Sequence, residues 1–273
     1  MWLDSWFVSQ LGSTCSYATL GATNNLLHFI IKIAESISVG TVIMSGQYNG
    51  MGAYNKVGKT VNDTFWITGI LGLIISSLMY FFSYDIYRWY GVSEDIIGLG
   101  IPFLRLRAMS IFFMFIYFAL MGFLRGVKNT KAPMYIFMIG SLVFIVADYV
   151  LIFGVFGFPR MELLGSAVAS LVQYVVMSTG AIFYIWRNKE YHKYGINLMQ
   201  GVTDLGYMKR LMVLSWPVMI DKATMAWAYI WLCKMINPMG TKTVAAFCVV
   251  KDIERFAFLP AIAFAQVITF LVS

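Results

Sequence analysis

The chain has 273 residues, of which 60% are hydrophobic and 12% charged, with a formal net charge of +7. Soluble domains carry about 45–50% apolar and about 25% charged residues, so this composition cannot cover a water-exposed surface. Three cysteines set far apart in apolar sequence (Cys15, Cys233, Cys248) exclude a disulfide scaffold, and 17% aromatic residues exclude disorder. Met1-Trp2-Leu3-Asp4 lacks the basic start of a cleavable signal peptide. The class that remains is all-α: a polytopic transmembrane helical bundle in a lipid bilayer. Its positive charge is expected in loops rather than on a nucleic-acid face.

A membrane helix needs about 20 mostly apolar residues. In chain order, residues 1–11 read as the tail of a helix stopped by the Gly12-Ser13-Thr14 turn signal. Residues 17–46 form a first long span, with Lys32 and Glu35 inside it. Residues 64–84 and 108–124 follow, the latter extendable upstream past Arg105 and Arg107. Residues 132–159 are interrupted only by Asp148, and 163–186 carry no charge. Two further spans, 211–237 and 243–272, contain several charges each. The expectation is seven full helices and a partial first one. The apolar runs are too long for barrel strands and show no alternation of period two.

Between the spans, basic segments alternate with neutral or acidic ones. Lys56 and Lys59 lie in 47–63, Arg125, Lys128 and Lys131 in 125–131, and five Lys or Arg in 187–210, against Glu190 and Asp204. The segment 85–95 is net acidic, and 155–162 holds one charge of each sign. The positive-inside rule places 47–63, 125–131 and 187–210 in the cytoplasm. The long polar stretch 187–210 reads as a linker, with room for a helix on the membrane surface. Sliding residues 11–41 until Gly12 falls on Gly240 brings Ala18 onto Ala246 and one long helix onto another. Such repeats are common in transporters. On this reading 1–186 is a first lobe, 187–210 a cytoplasmic linker and 211–273 the start of a second lobe. A chain cut at both ends is expected.

An ionisable residue inside a span costs at least ~2.5–3.5 kcal/mol at the bilayer centre, so it needs a partner or a use. Asp148 lies deepest and has no neighbouring cation in sequence. It reads as a cation or proton site, or as a carboxyl held by another helix. Asp4 is within two turns of the Gly12 turn and reads as a site residue or as a solvated carboxylate near the outer interface. Lys32 and Glu35 face each other at i, i+3, a structural or cavity-facing ion pair. Asp221 and Lys222 point about 100° apart on a helix. Asp221 reads equally as a site in the second lobe or as the partner of the 243–272 charges. Lys251, Asp252, Glu254 and Arg255 are expected to neutralise one another, and His28 reads as a core residue. Eighteen methionines with abundant Trp and Tyr suit a cavity for flat organic cations, or ordinary packing. No phosphate-binding loop of the GxxxxGK[ST] form, HExxH, CxxC or nucleophile elbow is present, so no residues point to an enzyme or to a cofactor.

Several segments resemble one family in order and spacing. DSWFVSQLGSTCSYATLG at 4–21 resembles the end of the first helix of the multidrug and toxic compound extrusion (MATE) family. ISVGTVIMSGQYNGMGAYNKVGKT at 37–60 is similar to its second helix and loop, and RGVKNTKAPMYI at 125–136 to its Arg-Gly…Asn-Thr-Lys-x-Pro loop. ADYVLIFGVFGFPRMELLGSAVAS at 147–170 resembles its fifth and sixth helices, and SWPVMID at 215–221 and IERFAFLPAIAFAQ at 253–266 its seventh and eighth. The resemblance implies a twelve-helix, two-lobed fold, of which this chain holds the first lobe without most of helix 1, plus two helices of the second.

It further implies secondary-active antiport of organic, often cationic compounds against H+ or Na+ by alternating access. The protein would be a monomer in a bacterial cytoplasmic membrane, without cofactor or nucleic-acid partner. Asp148, Asp4 and Ser170 match the family's ion-coupling positions, with Na+ at Asp148 and Asp4 an open alternative to H+. Where the family often has Asn one turn before the helix-5 acid, this chain has Phe144, which favours a proton. The family's second-lobe acid aligns nearer Met225, one turn after Asp221. A lipid or lipid-linked oligosaccharide flippase of the same superfamily, with Lys32 and Lys222 as cavity cations, and a fragment without activity are the alternatives.

The loop charges generate a test. Single cysteines replacing Lys56 and Lys128 are expected to label from the same side of sealed vesicles. Labelling from opposite sides would disprove the topology.

Overall fold

The computed structural model describes residues 2–198, 201 and 205–272. Asp204 and the side chains of Asp252 and Arg255 lie outside the described residues. Among the described residues the fold is entirely helical. A short helix α1 (Trp2–Ser9) is followed by α2 (Thr14–Gly50), α3 (Tyr54–Phe81), a short α4 (Ser83–Tyr90) and α5 (Glu94–Gly126). Then come α6 (Lys131–Phe153), α7 (Leu163–Arg187), α8 (Leu205–Ile236) and α9 (Thr241–Val272).

Two expectations about boundaries are corrected. Residues 47–63 are not a loop: α2 and α3 run through them and leave only 51–53 as a turn. At 37 residues α2 is about 55 Å long, well beyond a bilayer core, so it carries polar sequence past the membrane boundary. The span 132–159 is shorter, because α6 ends on Gly154 in the left-handed region (φ 70°) and a 3₁₀ turn follows at Val155–Gly157. Glycine takes this conformation without a Cβ penalty, which is why the helix stops there. The acidic stretch 85–95 is largely helical, as α4. Among the described residues, α2, α3, α5, α6 and α7 are long and apolar enough to cross a membrane. Helix α8 has the length, but its apolar run is broken by Asp221, Lys222 and Lys234; the sequence of α9 carries Lys251 and Glu254 in its first half and no charge over 256–272.

Helix α5 is the centre of the bundle and packs against α2, α3 and α7. Its Phe103, Leu104, Phe115, Met121 and Phe123 are fully buried. Small residues set the approach to α2. A Cβ on Gly122 would meet the Ser38 carbonyl at 2.7 Å, and one on Gly126 the Val42 carbonyl at 2.8 Å. Without a hydrophobic drive between helices in lipid, such close backbone contact is a principal source of association. The outer faces are apolar and bare: Phe137, Leu142 and Val146 on α6 are more than half exposed, as are Ile70 and Leu73 on α3. That surface is suited to acyl chains and not to water.

The three basic segments meet at one end of the bundle. Asn129, in the turn before α6, accepts from the Ala132 N–H and donates to Tyr184 and Tyr191 hydroxyls. Tyr194 donates to Asn49 at the end of α2 (2.8 Å), and its carbonyl lies where a Cβ on Gly58 would sit. The start of the linker is therefore no surface helix. It is a 3₁₀ turn (Lys189–Tyr194) docked on the first helices through two buried tyrosines. Burial pushes the Tyr191 phenol well above its ordinary range and keeps it neutral. At the opposite end, Asn237 donates to the Tyr90 carbonyl (2.7 Å) and joins the α8–α9 turn to the end of α4.

Gly126→Leu should lower thermal stability in detergent, by about 1–3 kcal/mol, because the added side chain is driven into the α2 backbone. Gly98→Ala, on the open face of α5 with nothing within 4 Å, should be neutral or gain up to about 1 kcal/mol from helix propensity. Equal melting shifts for the two variants would contradict the packing argument.

Candidate functional site

The site is assembled where α1, α2, α5, α6 and α7 converge. Gly12 (φ 68°) turns the chain between α1 and α2, and Ser13 caps α2 by accepting from the Ser16 N–H. The turn folds α1 back against α2 and α6. Asp4 is consequently 1% exposed, which overturns its reading as a solvated carboxylate at the outer interface. Its Oδ1 accepts from the Ser166 hydroxyl of α7 at 2.6 Å.

Asp148, on the inner face of α6, is 0% exposed. Among the described residues neither of its carboxylate oxygens has a hydrogen-bond partner. A carboxyl buried in this way is costly unless charge or a bound cation answers it. Among the described residues, two charges lie within Coulombic reach: the Asp4 carboxylate and the guanidinium of Arg107.

Arg107 was not among the expected site residues. It lies on α5, is 6% exposed, and crosslinks two other helices. One Nη donates to Asn24 Oδ1 of α2 at 2.7 Å and the other to Ser170 Oγ of α7, while its Cζ lies 5.8 Å from the centre of the Phe103 ring. Arg105, two residues earlier, instead donates to Ser83 at the start of α4 and stacks over Tyr80. The signal for Arg107 was present as a cation within the apolar run of α5. Which of the two arginines points inward was not, because a two-residue step rotates a side chain by about 200°.

Ser170 belongs to this arrangement, but not in the expected way. Its hydroxyl donates to the Ser166 carbonyl (3.0 Å) and accepts from Arg107. Ser166, one turn earlier, is the hydroxyl that reaches an acidic residue. Asp4, Arg107 and Ser170 line a cavity of about 410 Å³ together with Phe144, Gln173 and Tyr174. At the position where the resemblance led to an amide, an aromatic ring faces the cavity.

The remaining candidates form a second group. Lys32 Nζ lies 2.9 Å from Glu35 Oε2, and Lys222 of α8 reaches the same oxygen at 3.3 Å. One carboxylate thus joins α2 to α8 between two cations, all three side chains being a little under a third exposed. Asp221 is exposed on α8 and makes no ion pair among the described residues; of the 243–272 charges that it could answer, the side chain of Arg255 lies outside them. Adjacent helix positions cannot both face α2, and Lys222 takes that direction. Lys251 pairs with Glu254 at 3.0 Å, and Glu254 also accepts from Tyr229. His28 is half-buried on α2.

The sequence and the fold have known counterparts. The family profile MatE matches residues 1–150. The chain is 26% identical over 239 residues to "Probable multidrug resistance protein YoeA" of Bacillus subtilis (strain 168), covering 87% of this chain and 52% of that protein. It is 25% identical over 264 residues to "Probable multidrug resistance protein NorM" of Rhizobium meliloti (strain 1021), covering 96% of this chain and 56% of that one. The fold superimposes with a TM-score of 0.86, at 22% identity, on the inward-facing conformation of a multidrug resistance MATE family transporter of the MOP superfamily, over 94% of this chain and 57% of that one. The chain spans about half the length of the curated relatives it matches. With more than half of its length matched by the family profile, the helical bundle built around Asp4, Arg107 and Asp148 belongs to the MATE family.

Proposed function

We propose that the chain forms the ion-coupling half of a secondary-active exporter that exchanges organic, often cationic compounds for H+ or Na+. The observation that carries this reading is the state of Asp148. It is fully buried, without a hydrogen-bond partner at either oxygen among the described residues, and within reach of a second buried carboxylate and a guanidinium. Structural carboxylates in a membrane interior are normally paired or hydrogen-bonded, so one that is neither is read as a functional site.

The chemistry asked of the site is linkage. An ion drives export only if it binds the substrate-releasing state better than the substrate-accepting one. Asp4 is on the short α1, held to the bundle by Ser166, so a change of charge at Asp148 alters the electrostatic hold on α1. Repacking of α1 against α6 and α7 then reshapes the adjoining cavity, which Phe144, Gln173 and Tyr174 line. Residues 1–186 are assigned to the first lobe, 187–210 to the linker and 211–273 to the second lobe. A monomer in a bacterial cytoplasmic membrane, with the basic end inside, fits the loop charges. A flippase for anionic lipid-linked substrates is less well supported. Both lysines it depends on, Lys32 and Lys222, are already engaged by Glu35, and an anionic headgroup would have to displace that carboxylate.

Asp148→Asn in the full-length protein keeps shape and hydrogen-bonding capacity but cannot exchange a proton near neutral pH. Insertion should survive, because removing a buried charge lowers the desolvation cost. Efflux of a flat aromatic cation from vesicles, driven by an imposed proton or sodium gradient, should fall to the uncoupled background. Undiminished gradient-driven efflux would refute Asp148 as the coupling residue.

A further inference from the structure

The cluster contains a built-in cation, and its position decides what else can bind. A sodium ion needs several oxygen ligands converging on one point, whereas a proton needs a single carboxylate oxygen. Besides the carboxylates, the side-chain oxygens beside Asp4 and on the wall of its cavity include those of Asn24, Ser110, Ser141, Ser166, Ser170 and Gln173. Arg107 holds two of them, Asn24 Oδ1 and Ser170 Oγ. The Ser166 hydroxyl is donated to Asp4, so its proton side faces the carboxylate. Phe144 places a hydrocarbon ring on the α6 wall of the cavity. The guanidinium itself is more than nine-tenths buried. The carboxylate of Asp148 has no hydrogen-bond partner among the described residues.

We propose that Arg107 is the specificity-determining residue of this ion site: its guanidinium engages two oxygen ligands that a sodium ion would need and sets a fixed positive charge near the carboxylates, leaving the site to the proton. The inference rests on the reading of Asp148 and Asp4 as the coupling site. With both carboxylates ionised the three side chains sum to one negative charge, which one proton cancels. Sodium would also cancel it, but only by sharing a low-dielectric volume with a fixed positive charge that already engages two of the nearby oxygens. Among the described residues, the charged and titratable groups around the site are Asp4 from α1, Tyr87 from α4, Arg107 from α5, Asp148 from α6 and Tyr174 from α7. The face of α2 contributes Asn24 and, further along the helix, the Lys32–Glu35 pair.

Two readouts test this in the full-length protein reconstituted in vesicles. The first is efflux of ethidium under a proton gradient or a sodium gradient alone. The second is modification of Asp148 by dicyclohexylcarbodiimide, which reacts with the protonated carboxyl, with and without added sodium. In the wild type, efflux should follow the proton gradient, and sodium should not protect Asp148 from modification. Arg107→Gln should admit sodium: protection by sodium and sodium-driven efflux should each rise by about tenfold, within the usual range of coupling between sites. Arg107→Lys, which keeps the positive charge, should retain the proton selectivity of the wild type.

Sodium protection or sodium-driven efflux in the wild type would overturn the proposal, and that measurement needs no variant to fold. So would a folded Arg107→Gln protein with unchanged ion selectivity. The two readings separate through Asp148→Asn. If that variant keeps gradient-driven efflux, the site assignment fails. If it loses efflux while Arg107→Gln stays proton-selective, only the role of Arg107 fails.

Discussion

The buried guanidinium of Arg107 sets the terms for the first half of the molecule. A charge on the central helix of a membrane bundle must find its partners inside the protein, because lipid supplies none. Arg107 finds them on two neighbouring helices, through Asn24 and Ser170. Each charge-assisted hydrogen bond contributes about 1.5–3 kcal/mol, comparable to the insertion cost of the charge. The opposite charge is provided by Asp4 and Asp148, which are themselves too buried to be tolerated alone. The five helices around the site are thus held by a group of side chains, none of which is stable there without the others.

Packing makes that arrangement possible. Gly122 and Gly126 let α5 approach α2 closely enough for a side chain on one to reach a side chain on the other. Gly165 of α7 does the same against the backbone of α6 near Leu151, beside Asp148, and Gly140 of α6 receives Met177 of α7. Close contact between backbones is what gives a membrane bundle its precision, since shape and not water exclusion aligns the helices. Only α1 stands apart from this. It is short, lies at the edge of the bundle, and is tied in through Phe7, Val8 and the Asp4–Ser166 hydrogen bond. An element with so few attachments is the part of the site best able to move when the charge balance changes.

A second connection reaches beyond the first helices. Glu35 sits between Lys32 of its own helix and Lys222 of α8, so the long α2 carries both the site residue Asn24 and the ionic contact to the following helices. Partly exposed pairs of this kind add little stability, but they select one relative placement of two helices from many apolar ones. The linker acts at the opposite level. Its buried Tyr191 and Tyr194 fasten residues 189–194 to the basic end of the bundle, although their composition is polar.

Much of this was determined by the sequence alone. Long uncharged runs can only be membrane helices, because every backbone polar group must be satisfied within the segment, and this specified the class, the apolar spans and the family. The isolated charges Asp148 and Asp4 were legible for the same reason. What the tertiary structure decided was which side chains meet. Periodicity defines the faces of a helix but not the neighbour each face receives. Arg105 and Arg107 are therefore alike in sequence, and only packing sends one to the edge beside α4 and the other into the core. Ser166 and Ser170 lie on one face a turn apart, and the depth at which α1 docks chooses Ser166 for Asp4. Asp221 and Lys222 compete for one direction, and the crossing of α8 over α2 gives it to the lysine. Each of these outcomes depends on contacts between residues far apart in the chain, which local chemistry permits and only three-dimensional packing selects.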